Sequence, residues 1–281
     1  MDILSFLLLP FLAGLVLTGI HAYLGVHVVE RGVIFVDLSL AQIAGLGTTV
    51  ALLAGYDVHS NISYFWSLAF TIIGAAIFAL TRVHRETRIP QEAIIGIVYA
   101  VSAAAAILVM SKAPQETEHL KDMLVGNILA VSWYTVLNTA GLYALVGLFH
   151  FIFRKKFLAI SVGAHNGQAE TIPNVRLWDF LFYTSFGFVV TSSVAIAGVL
   201  LVFSYLIVPS VGAMLFSTSI GTRLAIGWTM GALVTALGIL LSFQLDLPTG
   251  ATIVCTFGLS LAILAAVRWL LVRRRGVAVA A

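Results

Sequence analysis

Apolar runs alternate with short polar clusters along the whole chain, at 3–25, 33–55, 61–81, 92–111, 133–153, 177–197, 198–217, 224–243 and 249–271. Each is close to the ~20 residues a helix needs to cross a bilayer. In lipid, backbone polar groups must be satisfied within their own segment, so runs of this length predict α-helices. No polar residues separate Ala197 from Gly198, which leaves nine spans or eight with one broken or re-entrant helix. The pattern predicts an all-α, polytopic transmembrane helical bundle filling one domain over 1–281. Pro209 removes a backbone donor in mid-span and predicts a kink or break there. Asp246, Pro248 and Gly250 predict a tight turn before the last span. Between Arg154 and Arg176, the stretch Val162 to Ile172 predicts a short amphipathic helix ended by Pro173, serving as a docking handle or as a plain interfacial connector.

Composition agrees with the pattern. Of 281 residues, 60% are hydrophobic and 10% charged, with mean hydropathy +1.06, too little polar surface for a water-soluble domain of this size. The segment from Ile3 to Tyr23 lacks the basic start and small-residue cleavage site of a signal peptide, so it is expected to be the first span. The net charge of +3 and pI of about 9.1 do not point to nucleic acid, because the basic residues sit at span ends. Alternate loops place Arg31, Arg82, Arg85, Arg88, Arg154, Lys155, Lys156, Arg176, Arg223, Arg268 and Arg273 to Arg275 on one side, against Lys112 and Lys121 on the other. The first side is expected to be cytoplasmic, with the C-terminus inside and, for nine spans, the N-terminus outside. Cys255, the single cysteine, offers no disulfide framework and is expected to pack as a small core hydrophobe. Trp66, Trp133, Trp178, Trp228 and Trp269 fall near span ends, as interfacial anchors do. Gly227 and Gly231 form a small-xxx-small pair suited to close helix packing, in the bundle or across a dimer.

Five stretches carry a resemblance. They are GVHVVERGVIFVDLSLAQIAGLG (25–47), EAIIG (92–96), LVGNIL (124–129), GVLLVFSYLIVPSVGAML (198–215) and SFQLDLPTGATIV (242–254). In this order they resemble the permease subunit of ABC-type importers for zinc, manganese and iron. The resemblance implies a transport subunit rather than an enzyme, in the cytoplasmic membrane of a prokaryote. It implies a second permease copy or relative, a cytoplasmic ATPase subunit that holds the ATP, an external substrate-binding protein, and a divalent metal as cargo. Zinc is the first expectation, then manganese or iron. The loop near 154–176 is the expected ATPase-coupling element, with Gly163, His165 and Gly167 as its candidate residues. The chain has neither a glycine-rich phosphate loop nor a His-Glu-x-x-His constellation, so no cofactor of its own is expected and ATP must bind another chain.

The departures bear on the cargo. The family's aspartate and histidine in the second helix, four residues apart, correspond here to Leu38 and Gln42. Asp37 lies one residue away, rotated by roughly 100°. Asp37, Ser39 and Gln42 are therefore the candidate pathway residues, polar groups that are costly at that depth unless they face protein, water or cargo. A metal chelate or vitamin-like solute is the alternative cargo, and an ion-coupled secondary carrier the alternative class. Asp57 and His59, with Glu116, Glu118, His119 and Asp122, are expected at the external mouth, as a cation-attracting rim or as a solvated loop. Glu92 is expected to cap its own helix, or to act in gating with Pro209. His21, His27, His84, His150 and His165 lack paired zinc spacing and are expected at interfaces or in loops.

Overall fold

The computed structural model describes residues 3–58, 60–82, 89–112, 126, 128–163 and 168–279. Among them the chain forms nine α-helices: α1 (Ile3–Arg31), α2 (Val36–Leu53), α3 (Asn61–Leu80), α4 (Gln91–Met110), α5 (Trp133–Ile152), α6 (Arg154–Val162), α7 (Val175–Met214), α8 (Ile220–Leu245) and α9 (Thr249–Val279). All except α6 are long and apolar enough to cross a membrane, which makes eight among the described residues. Phe65, Leu108, Leu145 and Ile263 are each more than half exposed, as suits side chains solvated by lipid rather than water.

The runs 177–217 form the single helix α7, interrupted at Gly198 by a left-handed backbone (φ 73°, ψ 160°). Eight helices and nine apolar runs thus describe the same chain. The break lies at the expected Ala197–Gly198 boundary, whereas Pro209, where a kink or break was also expected, sits buried within helical backbone. A proline costs one i−4 bond and is absorbed by a packed helix, whereas a glycine with positive φ redirects the chain. Asp246 adopts the left-handed C-cap of α8 (φ 52°) and hands over to α9 at Thr249, with Ser242 Oγ donating to the Leu247 carbonyl at 2.7 Å. Cys255 is exposed on α9 rather than packed in the core.

The helices pack as two compact units. The first comprises Met1–Val26, Asn127–Val136 and Leu200–Ala281. Its seam is made of small residues. Gly14, Thr18, Ala22 and Gly25 recur on one face of α1. Thr18 lies where a Cβ on Gly231 would be, and a Cβ on Gly227 would rest 3.5 Å from the Ala22 Cβ. The small-xxx-small pair of α8 therefore packs inside the chain, against α1. Tyr205 and Thr235 share a hydroxyl bond of 2.8 Å, and the Trp228 indole N–H donates to the Gly19 carbonyl at 3.0 Å. Interhelical hydroxyl bonds and close backbones replace the hydrophobic drive that lipid removes.

The second unit comprises His27–Gly126 and Leu137–Val199. Here α2 packs on α3 and α4. A Cβ on Gly47 would lie 2.6 Å from the Trp66 carbonyl oxygen, so only glycine permits this approach of α2 to α3. Thr71 meets Thr191 at 3.2 Å, and Tyr143 meets Ser193 at 2.6 Å. The amphipathic helix of the basic loop is α6, ending at Val162, and a short 3-10 turn (Gln168–Thr171) follows. It lies upstream of the expected 162–172, of which residues 164–167 are outside the described residues. It buries Phe157, Ile160 and Ser161, positions i, i+3 and i+4, and exposes Arg154, Lys155 and Lys156.

Candidate transport site

Asp37 enters the first turn of α2 with 2% of its surface exposed, and its Oδ1 has no hydrogen-bond partner. Ser39 is fully buried, and its Oγ is also unpartnered. Two positions apart on a helix means roughly 200° of rotation, so they face different neighbours. Gln42 is half-buried and shares a face with Ser39, three residues away. The three pathway candidates therefore do not form one ligand set. Asp37 is influenced electrostatically by Glu92, at the start of α4.

Glu92 does not merely cap its own helix. Its Oε1 accepts the Phe35 N–H at 2.9 Å, closing the turn that leads into α2, while its Oε2 is buried without a partner. The start of α4 thereby holds the start of α2, and Glu92 and Asp37 each keep one buried oxygen without a hydrogen-bond partner. All donors gathered here are oxygens, the hard type preferred by Mn²⁺ and tolerated by Fe²⁺, whereas zinc favours imidazole and thiolate. Among the described residues no group of three or more His, Cys, Asp or Glu could hold a metal.

At the opposite ends of α2 and α3, Asp57 is exposed, and its backbone carbonyl accepts the Ser63 hydroxyl at 2.6 Å. Its expected companions His59, Glu116, Glu118, His119 and Asp122 lie outside the described residues, as do His84, His165 and Gly167. Gly163 is buried and caps the C-terminus of α6, its N–H bonded to the Ala159 carbonyl at 2.9 Å. Pro209 belongs to the first unit.

His21, His27 and His150 are almost wholly buried in helices rather than placed in loops. His21 Nδ1 lies 2.8 Å from the Leu17 carbonyl, His27 Nδ1 2.8 Å from Ser161 Oγ, and His150 Nε2 2.8 Å from Ser185 Oγ. A ring nitrogen that reaches a local oxygen lets imidazole substitute for an aromatic core residue, as His150 does stacked 4.4 Å from Phe157.

The charged centre of this unit went unread in the sequence. Asp179, five residues into α7 and buried, accepts one bond on each carboxylate oxygen, from Arg31 Nη1 at 2.7 Å and from Arg82 Nη1. Arg31 also donates Nε to Ser161 Oγ at 2.8 Å. The end of α1, the end of α3, and α6 and α7 thus meet at one end of the unit, which places Arg31, Arg82 and α6 on the same side. The only sequence signal was a lone carboxylate just inside an apolar run, where an ionised group requires a partner.

Comparison with known proteins gives the lineage. The profile of the ABC 3 transport family matches residues 4–268. The "Manganese transport system membrane protein MntC" of Listeria monocytogenes is 30% identical over 203 residues, 69% of this chain and 70% of that one. The "Probable iron transport system membrane protein" of Haemophilus influenzae is 26% identical over 244 residues, 86% of each chain. The fold is shared with a chain of "PsaBC from Streptococcus pneumoniae in complex with Fab", with TM-score 0.74 and 24% identity over 94% of this chain and 93% of that one. With eight apolar helices and a profile match over nearly its whole length, this multi-pass membrane chain belongs to the ABC 3 transport family, among the permeases of metal transport systems.

Proposed function

We propose that the chain is the permease of an ATP-driven importer in a prokaryotic cytoplasmic membrane and passes manganese or ferrous ion ahead of zinc. The ATPase resides on a separate cytoplasmic chain, and an external binding protein delivers the cargo. The observation that carries this reading is the buried, partly unpartnered carboxylate of Asp37 beside Glu92. An unsatisfied polar oxygen in a membrane helix costs several kcal/mol, so its retention suits a group that meets a cation in transit. Zinc loses its first place for two reasons: the relatives described above are named for manganese and iron, and α2 offers oxygens without imidazole. Weak oxygen ligation also lets the ion leave again, as conduction requires.

The absence of imidazole from α2 also favours a second cargo, a metal chelate whose own ligands satisfy the ion. Uptake of free manganese and of chelated iron, measured side by side in membrane vesicles carrying the chain with its ATPase, separates the two. Asp37→Ala is expected to reduce free-manganese uptake roughly tenfold or more, the loss of ~1.4 kcal/mol or more of differential interaction, at unchanged membrane abundance. Asp37→Glu should recover part of it. Normal manganese uptake by Asp37→Ala would remove Asp37 from the pathway, and uptake of the chelate alone would replace the cargo.

A further inference from the structure

The triad at the basic end has more connections than a structural ion pair needs. Asp179 is 2% exposed and Arg31 5%. Two guanidinium groups share one carboxylate there, and the Arg31 side chain also reaches the buried Tyr183 hydroxyl. The Arg31 guanidinium lies 3.9 Å over the Phe182 ring of α7, while its Nε reaches Ser161 of α6. Around this centre α6 is fastened to its neighbours. Phe157 is fully buried between the His150 ring of α5 and Trp178 of α7, and the Lys156 ammonium lies 4.3 Å over Trp178. The outer face of α6 carries exposed Arg154, Lys155 and Lys156.

We propose that Asp179 is a positioning residue for ATP-coupled transport, holding the α6 helix in register with the ends of α1 and α3 through Arg31, Arg82 and Ser161. This rests on the proposed function, in which a cytoplasmic ATPase presses on the basic face of α6. Displacement of α6 acts first on Ser161, and therefore on Arg31. Because Arg31 bonds Ser161 and Asp179 at once and Asp179 has two acceptor oxygens, the guanidinium can exchange one bond for another without leaving the carboxylate. Bonds that can be exchanged within a packed cluster give discrete alternative arrangements, the kind of element through which a local push becomes a helix shift. From Arg31 and Arg82 the shift reaches α2 and α4 through the short connection after Arg31, where Glu92 holds the Phe35 N–H.

The test uses the full chain with its ATPase in membrane vesicles, and measures manganese uptake and ATP hydrolysis on the same sample. Asp179→Asn is expected to keep hydrolysis within about twofold of wild type while uptake falls roughly tenfold, so that ions moved per ATP drop, and Asp179→Glu should restore the ratio. Where Asp179→Asn does not accumulate, Ser161→Ala provides the second test. It leaves both ion pairs intact, removes the bonds of α6 to Arg31 and His27, and is expected to lower the same ratio severalfold. Uptake and hydrolysis falling in proportion to abundance, or an unchanged ratio in Ser161→Ala, would overturn the role of Asp179. Wild-type chain that neither binds an ATPase nor moves manganese would instead overturn the proposed function.

Discussion

Gly126→Ala is expected to abolish accumulation of folded protein in the membrane. Gly126 has φ +61°, and a Cβ added there would overlap the Ala197 carbonyl carbon and the Gly198 nitrogen. The left-handed conformation alone costs a non-glycine residue about 1–2 kcal/mol. The overlap is with backbone, so no rotamer change relieves it, and the total exceeds what a typical core overpacking costs. Two resembling motifs, 124–129 and 198–215, are thereby joined: the glycine of the first rests against the break in α7 that opens the second. The measurement is the yield and melting temperature of the detergent-solubilised protein, with Gly141→Ala as control, since nothing lies within 4 Å of a Cβ there. Wild-type yield and melting for Gly126→Ala would show that the contact between the 126 turn and α7 is dispensable.

The membrane helices were legible because lipid imposes length and satisfaction together. The runs expected at 61–81, 92–111 and 133–153 end within a residue of α3, α4 and α5, since a polar residue marks where the hydrocarbon stops. The broken helix was legible as one of two alternatives at Ala197–Gly198, and a second kink or break was expected at Pro209, because a missing N–H is visible in a sequence and a positive φ is not. α6 precedes the helix expected in this loop, which was set against Pro173. Three cations in its first turn oppose the helix dipole. What holds them there is the burial of Phe157 against His150 and Trp178, which no local pattern records.

The site was legible only as far as its residue types. Asp37, Ser39, Gln42 and Glu92 were all chosen from α2 and the start of α4, yet periodicity could not bring Glu92 across to the Phe35 N–H. Nor could it show that α2 buries both Asp37 and Ser39, which its period sets on different faces. Asp179 was missed outright. Its partners precede it by 148 and 97 residues, and a pairing over that distance leaves no trace in spacing. The charge count had already placed Arg31 and Arg82 on one side, and the shared carboxylate supplies the physical reason they tolerate burial: neither guanidinium enters the protein without it.

Gly25→Ala is expected to match Gly126→Ala in severity, through a different mechanism. Gly25 lies in α1 with ordinary helical backbone, so alanine would be intrinsically favoured there by about 0.5–1 kcal/mol. The neighbouring α7 reverses the sign. A Cβ at 25 would overlap the Leu206 carbonyl and Ser210 Oγ, and Ser210 Oγ itself donates to the Ala22 carbonyl at 3.3 Å. α1 and α7 would have to separate along the seam formed by Gly14, Thr18, Ala22 and Gly25, also losing the approach of Gly231 to Thr18. In lipid no hydrophobic drive recloses such a gap, because tails fill it as readily as side chains. Gly19→Ala is the matched control on the same helix: nothing lies within 4 Å of its Cβ, and only its carbonyl is engaged, by Trp228. The expected result is a melting temperature unchanged or slightly raised for Gly19→Ala, and loss of the monodisperse folded species for Gly25→Ala. Equal behaviour of the two variants would mean that the small-residue seam does not hold α1 in place.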